Sequence, residues 1–263
     1  MSNKNITIIL PIHKMNENYS EMLKNAVSSI EDFHNDVKLL IVCPNEVKKE
    51  IDSVDLGQKL EITYNVHTKE VDFCTQVNQG IDNCQTEWFS IFEIDDEYKP
   101  IWLKSMNDYI KENPDVDVFL PIVKDTNENG EFLNLTNEST WAYGFSEKQG
   151  FLDNEVLLDF QNFQTSGGLF RTNVIKENGG FKENIKLTFS YELLLRLTHN
   201  GVKIMSVPKI GYSHKNLRED SLFWNYKNLE ETKLSEKEAK FWLETAKKEF
   251  FFKNKRDVNY TEA

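Results

Sequence analysis

Two short and almost purely apolar runs, ITIILPI at residues 6–12 and VKLLIV at 37–42, constrain this chain more than any other feature. Uninterrupted apolar stretches of that length read as strands buried on both faces, as in a parallel sheet covered by helices. Between them Met22, Leu23, Ala26, Val27 and Ile30 recur at helical spacing, behind Ser20 as a candidate N-cap. Strand, helix and strand in succession make a βαβ unit, whose crossover is right-handed in nearly every known case. LEITYNV at 60–66 reads as a third strand, 73–81 as a helix, and Trp88–Ile94 as a fourth strand. The fold class is therefore α/β, a mostly parallel sheet flanked by helices. Ligands of such sheets bind outside the carboxyl ends of the strands. Residues 11–14, 43–46 and 93–96, with Pro11, His13, Asn45 and Glu46 among them, are expected to gather there.

The fourth strand runs into IFEIDDEYKP, residues 91–100, where apolar Trp88, Phe89, Ile91 and Phe92 give way to Glu93, Asp95 and Asp96. Continued in strand geometry, the side chains of Glu93 and Asp95 leave on the same side. Two carboxylates about 4 Å apart repel by roughly 4 kcal/mol at an effective dielectric near 20, and a divalent cation between them reverses the sign. Mg²⁺ and Mn²⁺ prefer oxygen ligands and are commonly shared between one or two carboxylates and substrate phosphates. Glu93 and Asp95 are thus candidate ligands of a metal and of a phosphate held with it. The plainer alternative is an acidic turn that closes a strand with its side chains in water.

The charge balance, 31 basic against 43 acidic residues for a net −12, opposes a general grip on nucleic-acid phosphates. Three cysteines, Cys43, Cys74 and Cys84, are odd in number and lack metal-site spacing; a reducing compartment fits. The first residues show no signal-peptide pattern, and no stretch approaches the roughly 18 apolar residues of a membrane span, so a cytoplasmic location is expected.

Beyond Pro100 the pattern predicts a helix over 101–110, a strand over 117–123, and a hairpin turn at Thr126–Gly130. Residues 131–165 are polar and aromatic with weak periodicity, either a binding loop or lid or a satellite core. TSGGLF at 165–170 precedes a helix at 172–177; YELLLRL at 191–197 is a strongly apolar helix with Asn200-Gly201 as its C-cap. A strand over 202–207 is expected to stop at Pro208, and Gly211–Ser221 to be a polar segment. Ser235 and Glu238 form a capping box for a last helix with a Trp242, Ala246 and Phe250 stripe. That helix is expected to pack on its own domain, and its basic residues leave a membrane-surface or partner role open.

In this order the motifs resemble those of the inverting glycosyltransferases of family 2, which share the GT-A fold. ITIILPIHK is similar to the family's opening strand, Asn78-Gln79-Gly80-Ile81 to its asparagine–glycine helix start, and Glu93-Ile94-Asp95-Asp96 with Pro100 to its DxDD pattern. SGGLFR at 166–171, GGF at 179–181 and YELLLRL with Gly201 resemble its acceptor-side half. The resemblance implies a domain over 1–222, with a nucleotide-sugar half (1–123) and an acceptor half (124–222), before a helical extension over 223–263. It implies an enzyme that moves a sugar from a nucleotide-sugar donor to an acceptor hydroxyl with Mn²⁺ or Mg²⁺. The metal would sit on Asp95 and Glu93, joined by His214 from a late loop. In the alternative register Arg218 stands at that place and acts on the diphosphate as a cation. Asn78 falls among the donor contacts.

Three departures bear on that reading. The family's VDDGS at the second strand is here Val42-Cys43-Pro44-Asn45-Glu46, so that Asn45 or Glu46 must stand in for its carboxylates. The arginine before the helix asparagine is Val77. The Glu-Asp pair that supplies the general base is Phe189-Ser190, leaving Ser190, Glu192 in a shifted register, or Asp153, Glu155 and Asp159 as candidates. A GT-A scaffold that has lost catalysis and serves as a binding or structural component is therefore the competing expectation. A nucleotide-sugar pyrophosphorylase is a distant third, since no glycine-rich basic loop follows the first strand. The acceptor, whether glycan, protein or modified nucleobase, and the oligomeric state are left open.

Overall fold

A computed structural model of the chain describes residues 4–15, 17–69, 71–138, 150–216 and 236–250. The first half alternates as the apolar runs require: β1 (Ile6–Pro11), α1 (Glu17–Ile30), β2 (Val37–Pro44), α2 (Asn45–Ile51), β3 (Ile62–His67), α3 (Phe73–Asn83) and β4 (Trp88–Ile91). Ser20 lies inside α1 and does not cap it, whereas Asp72 caps α3 by accepting from the Thr75 amide at 2.8 Å. Helix α2 has no counterpart in the sequence reading, because its seven residues carry a single apolar repeat, Val47 and Ile51.

The second half holds β5 (Glu97–Tyr98), α4 (Ile101–Glu112), the hairpin β6 (Val118–Thr126) and β7 (Phe132–Thr136), and β8 (Phe151–Leu152). It continues through α5 (Asn154–Asp159), β9 (Leu169–Arg171), α6 (Thr172–Glu177), α7 (Phe189–His199) and β10 (Ile204–Lys215) to α8 (Glu236–Glu249). Among the described residues all ten strands join one sheet whose main order is β3-β2-β1-β4-β9-β6-β10-β5, with β7 on β6 and β8 on β10.

Pairing is parallel from β3 through β2 and β1 to β4, then antiparallel on both sides of β9, and parallel again between β6 and β10. Two successive reversals restore the direction, so β4, β6 and β10 all end at the same edge of the sheet. That edge is where a ligand of an open α/β sheet is expected.

Alternation along the strands sends apolar side chains into two layers. Ile8 and Leu10 of β1 join the layer that carries α1, α2 and α4, with Leu23, Val27, Val47, Trp102 and Met106. Ile9 of the same strand joins the opposite layer, with Val77 of α3, Ile175 of α6, Leu194 of α7, and Ala246 and Phe250 at the C-terminal helix. The expected packing of that helix on the body of the chain is what the described residues show. Ser235 and the side chain of Trp242 lie outside them.

Two boundaries differ from the sequence reading, and both matter for the site. Strand β4 ends at Ile91, and residues 92–96 form a turn closed by the Asp96 amide on the Glu93 carbonyl at 3.2 Å. The period-two argument for Glu93 and Asp95 therefore does not apply. Strand β10 does not stop at Pro208 but runs on to Lys215 through two register shifts against β6. Pro208 falls in the gap between the registered pairs Val207–Pro121 and Ile210–Ile122, so its missing N–H costs no ladder bond.

Candidate active site

Glu93, Asp96 and His214 come together at the edge where β4, β6 and β10 end. One ligand atom from each lies within 4.8 Å of the others. The acidic turn after β4 supplies the two carboxylates. The shifts in β10 supply the imidazole: from Val207 to His214 the strand advances 7 residues while β6 advances 4, from Pro121 to Asp125. A bulged strand re-aims its side chains in this way, and His214 stands opposite Asp125 rather than three residues beyond it.

Each member is held. Nδ1 of His214 faces both carboxylate oxygens of Asp96 at 3.1 and 3.0 Å, and the Lys215 amide donates to Asp96 Oδ1 at 2.9 Å. Ser166 Oγ donates to Glu93 Oε1 at 2.6 Å, and the Glu93 amide donates to the Tyr212 hydroxyl at 3.1 Å. Tyr212 is itself wedged among Phe92 and Tyr98. The strap that carries Ser166 is bound to the sheet by the Gly167 amide on the Ile91 carbonyl at 2.8 Å and by Trp102 Nε1 on the Gly167 carbonyl at 2.7 Å.

The electrostatics are those of a site short of positive charge. Asp96 is 1% exposed, and burial raises its pKa above the ordinary carboxylate value, with His214 pulling it only part of the way back. Burial works against a charged His214, yet Asp96, aided by Glu93 and Asp95, outweighs it and holds the imidazole well above its usual value. Two like charges no more than 4.8 Å apart repel by roughly 3 kcal/mol or more at an effective dielectric near 20. One imidazolium cannot cancel both carboxylates, and a divalent cation would. The two carboxylates are donors that suit Mn²⁺ or Mg²⁺, and the imidazole is a ligand for a transition ion, which favours Mn²⁺ of the two.

Asp95 is half-buried beside the triad and bears on it electrostatically, while the carboxylate whose oxygen lies in the cluster with Glu93 and His214 is that of Asp96. Pro11 ends β1 in the core and His13 is half-buried just after it, while Asn45 and Glu46 open α2 exposed at the end of β2. Asn78 is a correction. It is 1% exposed, and its amide is spent on the Phe181 carbonyl and Glu183 Oε1 at 2.9 and 3.1 Å while its oxygen takes the Phe181 amide. It joins the two halves of the fold and has no donor left for a ligand. Gln76, equally buried, ties α3 to the residue after β1 and to the end of β3, with Nε2 on the Ile12 carbonyl at 3.1 Å and on His67 Nε2 at 3.0 Å.

Glu192 is the second correction. It is fully buried, and both its oxygens are taken by Arg196, whose guanidinium also reaches the carbonyls of Asn178 and Gly180. A base must meet its substrate, and this carboxylate meets only its own helix. Ser190 does border the site, its hydroxyl 2.8 Å from Thr165 Oγ1, next to Ser166. Asp153 caps α5, with Glu155 in the helix's first turn and Asp159 at its end. Arg218 lies outside the described residues. Asp125 and Gln164 were missed by sequence reasoning, and Ser166 was seen there only as part of SGGLFR; the charged Lys124-Asp125-Thr126 looks like a loop start because the apolar run ends at Val123.

An acidic turn and a late histidine thus meet at the strand ends of an α/β chain, the edge where ligands of such sheets bind. The chain is a member of glycosyl transferase family 2, whose profile matches residues 7–177. Its fold is that of the GT-A glycosyltransferases. Residues 1–349 of Staphylococcus aureus TarS in complex with UDP-GlcNAc superpose with a TM-score of 0.60 at 16% identity, covering 81% of this chain and 59% of that one. The Pyrobaculum calidifontis mannosyltransferase PcManGT in complex with GDP-Man and Mn²⁺ gives 0.61 at 12% identity, covering 85% and 60%. The chain thus spans about three fifths of the length of these neighbours. No curated protein matches it by sequence. Among the described residues, no helix is long and apolar enough to cross a membrane.

Proposed function

We propose that the protein transfers a sugar from a nucleoside-diphosphate donor to an acceptor hydroxyl, with a divalent cation held by Glu93, Asp96 and His214. The observation that carries this reading is the convergence of those three side chains in a family 2 chain. The structural neighbours with UDP-GlcNAc, and with GDP-Man and Mn²⁺, support it. When bound, the cation neutralises charge on the departing diphosphate. The remaining work falls to the chain's own groups. Ser166 fixes the rotamer of Glu93, Lys215 and His214 fix Asp96, and Asn45, Glu46 and His13 lie along the strand ends where the nucleoside would rest. Ser190, tied to Thr165, is able to orient a sugar hydroxyl but not to take its proton.

The division into a donor half over 1–123 and an acceptor half over 124–222 is part of this proposal, as is a cytoplasmic setting, which suits three buried free cysteines. The test is calorimetric titration of UDP-, GDP- and CDP-sugars with Mn²⁺ present. At least one is expected to bind, and Asp96→Asn is expected to abolish the manganese dependence. Silence from every donor, with the protein folded, overturns the reading.

A further inference from the structure

Asp125 is the carboxylate at this edge that neither the family motifs nor the cation triad accounts for. It stands opposite His214 in the parallel register of β6 and β10, and both share the face that carries Val123 and Tyr212. At 2% exposure it is nearly sealed from water. A carboxylate buried that far ordinarily has a cation or several donors around it. Among the described residues its one side-chain hydrogen bond is from Gln164 Nε2 at 3.4 Å, and no lysine or arginine pairs with it. Burial raises its pKa above the ordinary carboxylate value, and the groups that act on its charge are His214 and Gln164 in its favour and Asp96 and Glu93 against.

Gln164 is in turn fixed on three sides. Its Nε2 donates to Thr136 Oγ1 at 2.7 Å, its amide donates to Asn137 Oδ1 at 2.8 Å, and its carbonyl takes Asn137 Nδ2 at 3.1 Å. Asn137 is fully buried in the left-handed region, φ 60°, and also reaches the Pro121 carbonyl of β6 at 3.0 Å. The chain has therefore built a support that fixes Gln164, the donor to Asp125, at the position in β6 that stands opposite His214.

We propose that Asp125 is a positioning residue of the cation site, an outer carboxylate that accepts hydrogen bonds from the cation's water shell and adds negative charge behind the direct donors Glu93, Asp96 and His214. This rests on the reading of the site given above. Outer partners of this kind alter metal affinity about 10- to 100-fold.

The test is manganese titration of the full chain without nucleotide, followed by electron paramagnetic resonance of free Mn²⁺, for the wild type, Asp125→Asn and Asp96→Asn. Asp125→Asn keeps the shape and the bond to Gln164 while removing the charge. It is expected to weaken manganese by about tenfold or more, with the melting midpoint of the cation-free protein unchanged or raised. A purely structural residue would lower that midpoint and leave the affinity alone. Wild-type binding with Asp125→Asn within twofold of it overturns this proposal and leaves the transferase reading standing. No manganese binding by the folded wild type, with or without UDP, overturns both. Should Asp125→Asn not fold, Gln164→Ala carries the test: it retains the charge and removes its orientation, and unchanged affinity there overturns the proposal.

Discussion

At the scale of the residue, the Glu192–Arg196 pair separates what a motif suggests from what a side chain can reach. Both are fully buried, one turn apart on α7, and Arg196 spends its remaining donors on the Asn178 and Gly180 carbonyls that shape the GGF turn. Removing one partner strands a charge in a medium that cannot solvate it, which costs about 3–5 kcal/mol. Glu192→Ala is therefore expected to lower unfolding free energy by about that amount, read from urea denaturation. Glu192→Ala combined with Arg196→Leu should cost clearly less than the sum of the single changes, because the second change removes the stranded charge. Retained stability in Glu192→Ala would mean that the carboxylate is not bound as described.

At the scale of the element, the strap from Phe163 to Gly168 decides where Glu93 points, and Gly167 is its tightest position. Its φ is +75°, and a Cβ placed there would lie 2.5 Å from the Tyr212 ring, whereas Gly201, at φ +80°, has nothing within 4 Å. Both substitutions to alanine incur the left-handed penalty of about 1–2 kcal/mol, but only Gly167→Ala adds overpacking of about 1–3 kcal/mol. The difference between their denaturation midpoints measures the packing alone, and equal midpoints would show the ring to be free to move. Much of this layer was legible in the sequence: the apolar runs, the α7 repeat and the Asn200-Gly201 stop all name their elements. The bulged half of β10 was not. Pro208 and the polar Ser213-His214-Lys215 deny period-two alternation, and only pairing with β6 on one side and β5 on the other makes this stretch a strand. The turn after Ile91 was misread for the converse reason, since Phe92 and Ile94 continue an apolar pattern beyond the last registered pair with β1, Ile9–Ile91. Asp96 was thus in view as a letter, while its role depended on a geometry that local pattern does not encode.

At the scale of the whole molecule, the site links cation binding, protons and stability. Glu93, Asp95, Asp96 and Asp125 all bear on one imidazole, so the cation-free fold carries their repulsion, and anything positive that binds the native state alone stabilises it. A divalent cation at 100 times its Kd adds about 2.7 kcal/mol, which for a chain of this size raises the midpoint by about 5–10 °C. The sign of the pH dependence follows from His214. Its folded pKa is raised above the ordinary value, so in the cation-free protein its proton stabilises fully below about pH 6.5 and that contribution is lost as pH climbs through the raised value. The same proton occupies the ring that a cation needs, so cation binding releases it. Apparent affinity for Mg²⁺ or Mn²⁺ should accordingly rise between pH 6 and 8, by up to about tenfold per unit while His214 stays protonated in the free protein. Thermal melts at fixed manganese should then show a midpoint gain that grows with pH. His214→Ala should remove that pH dependence and most of the gain. A gain that is flat or falls over this range would show that the imidazole is not where the cation binds.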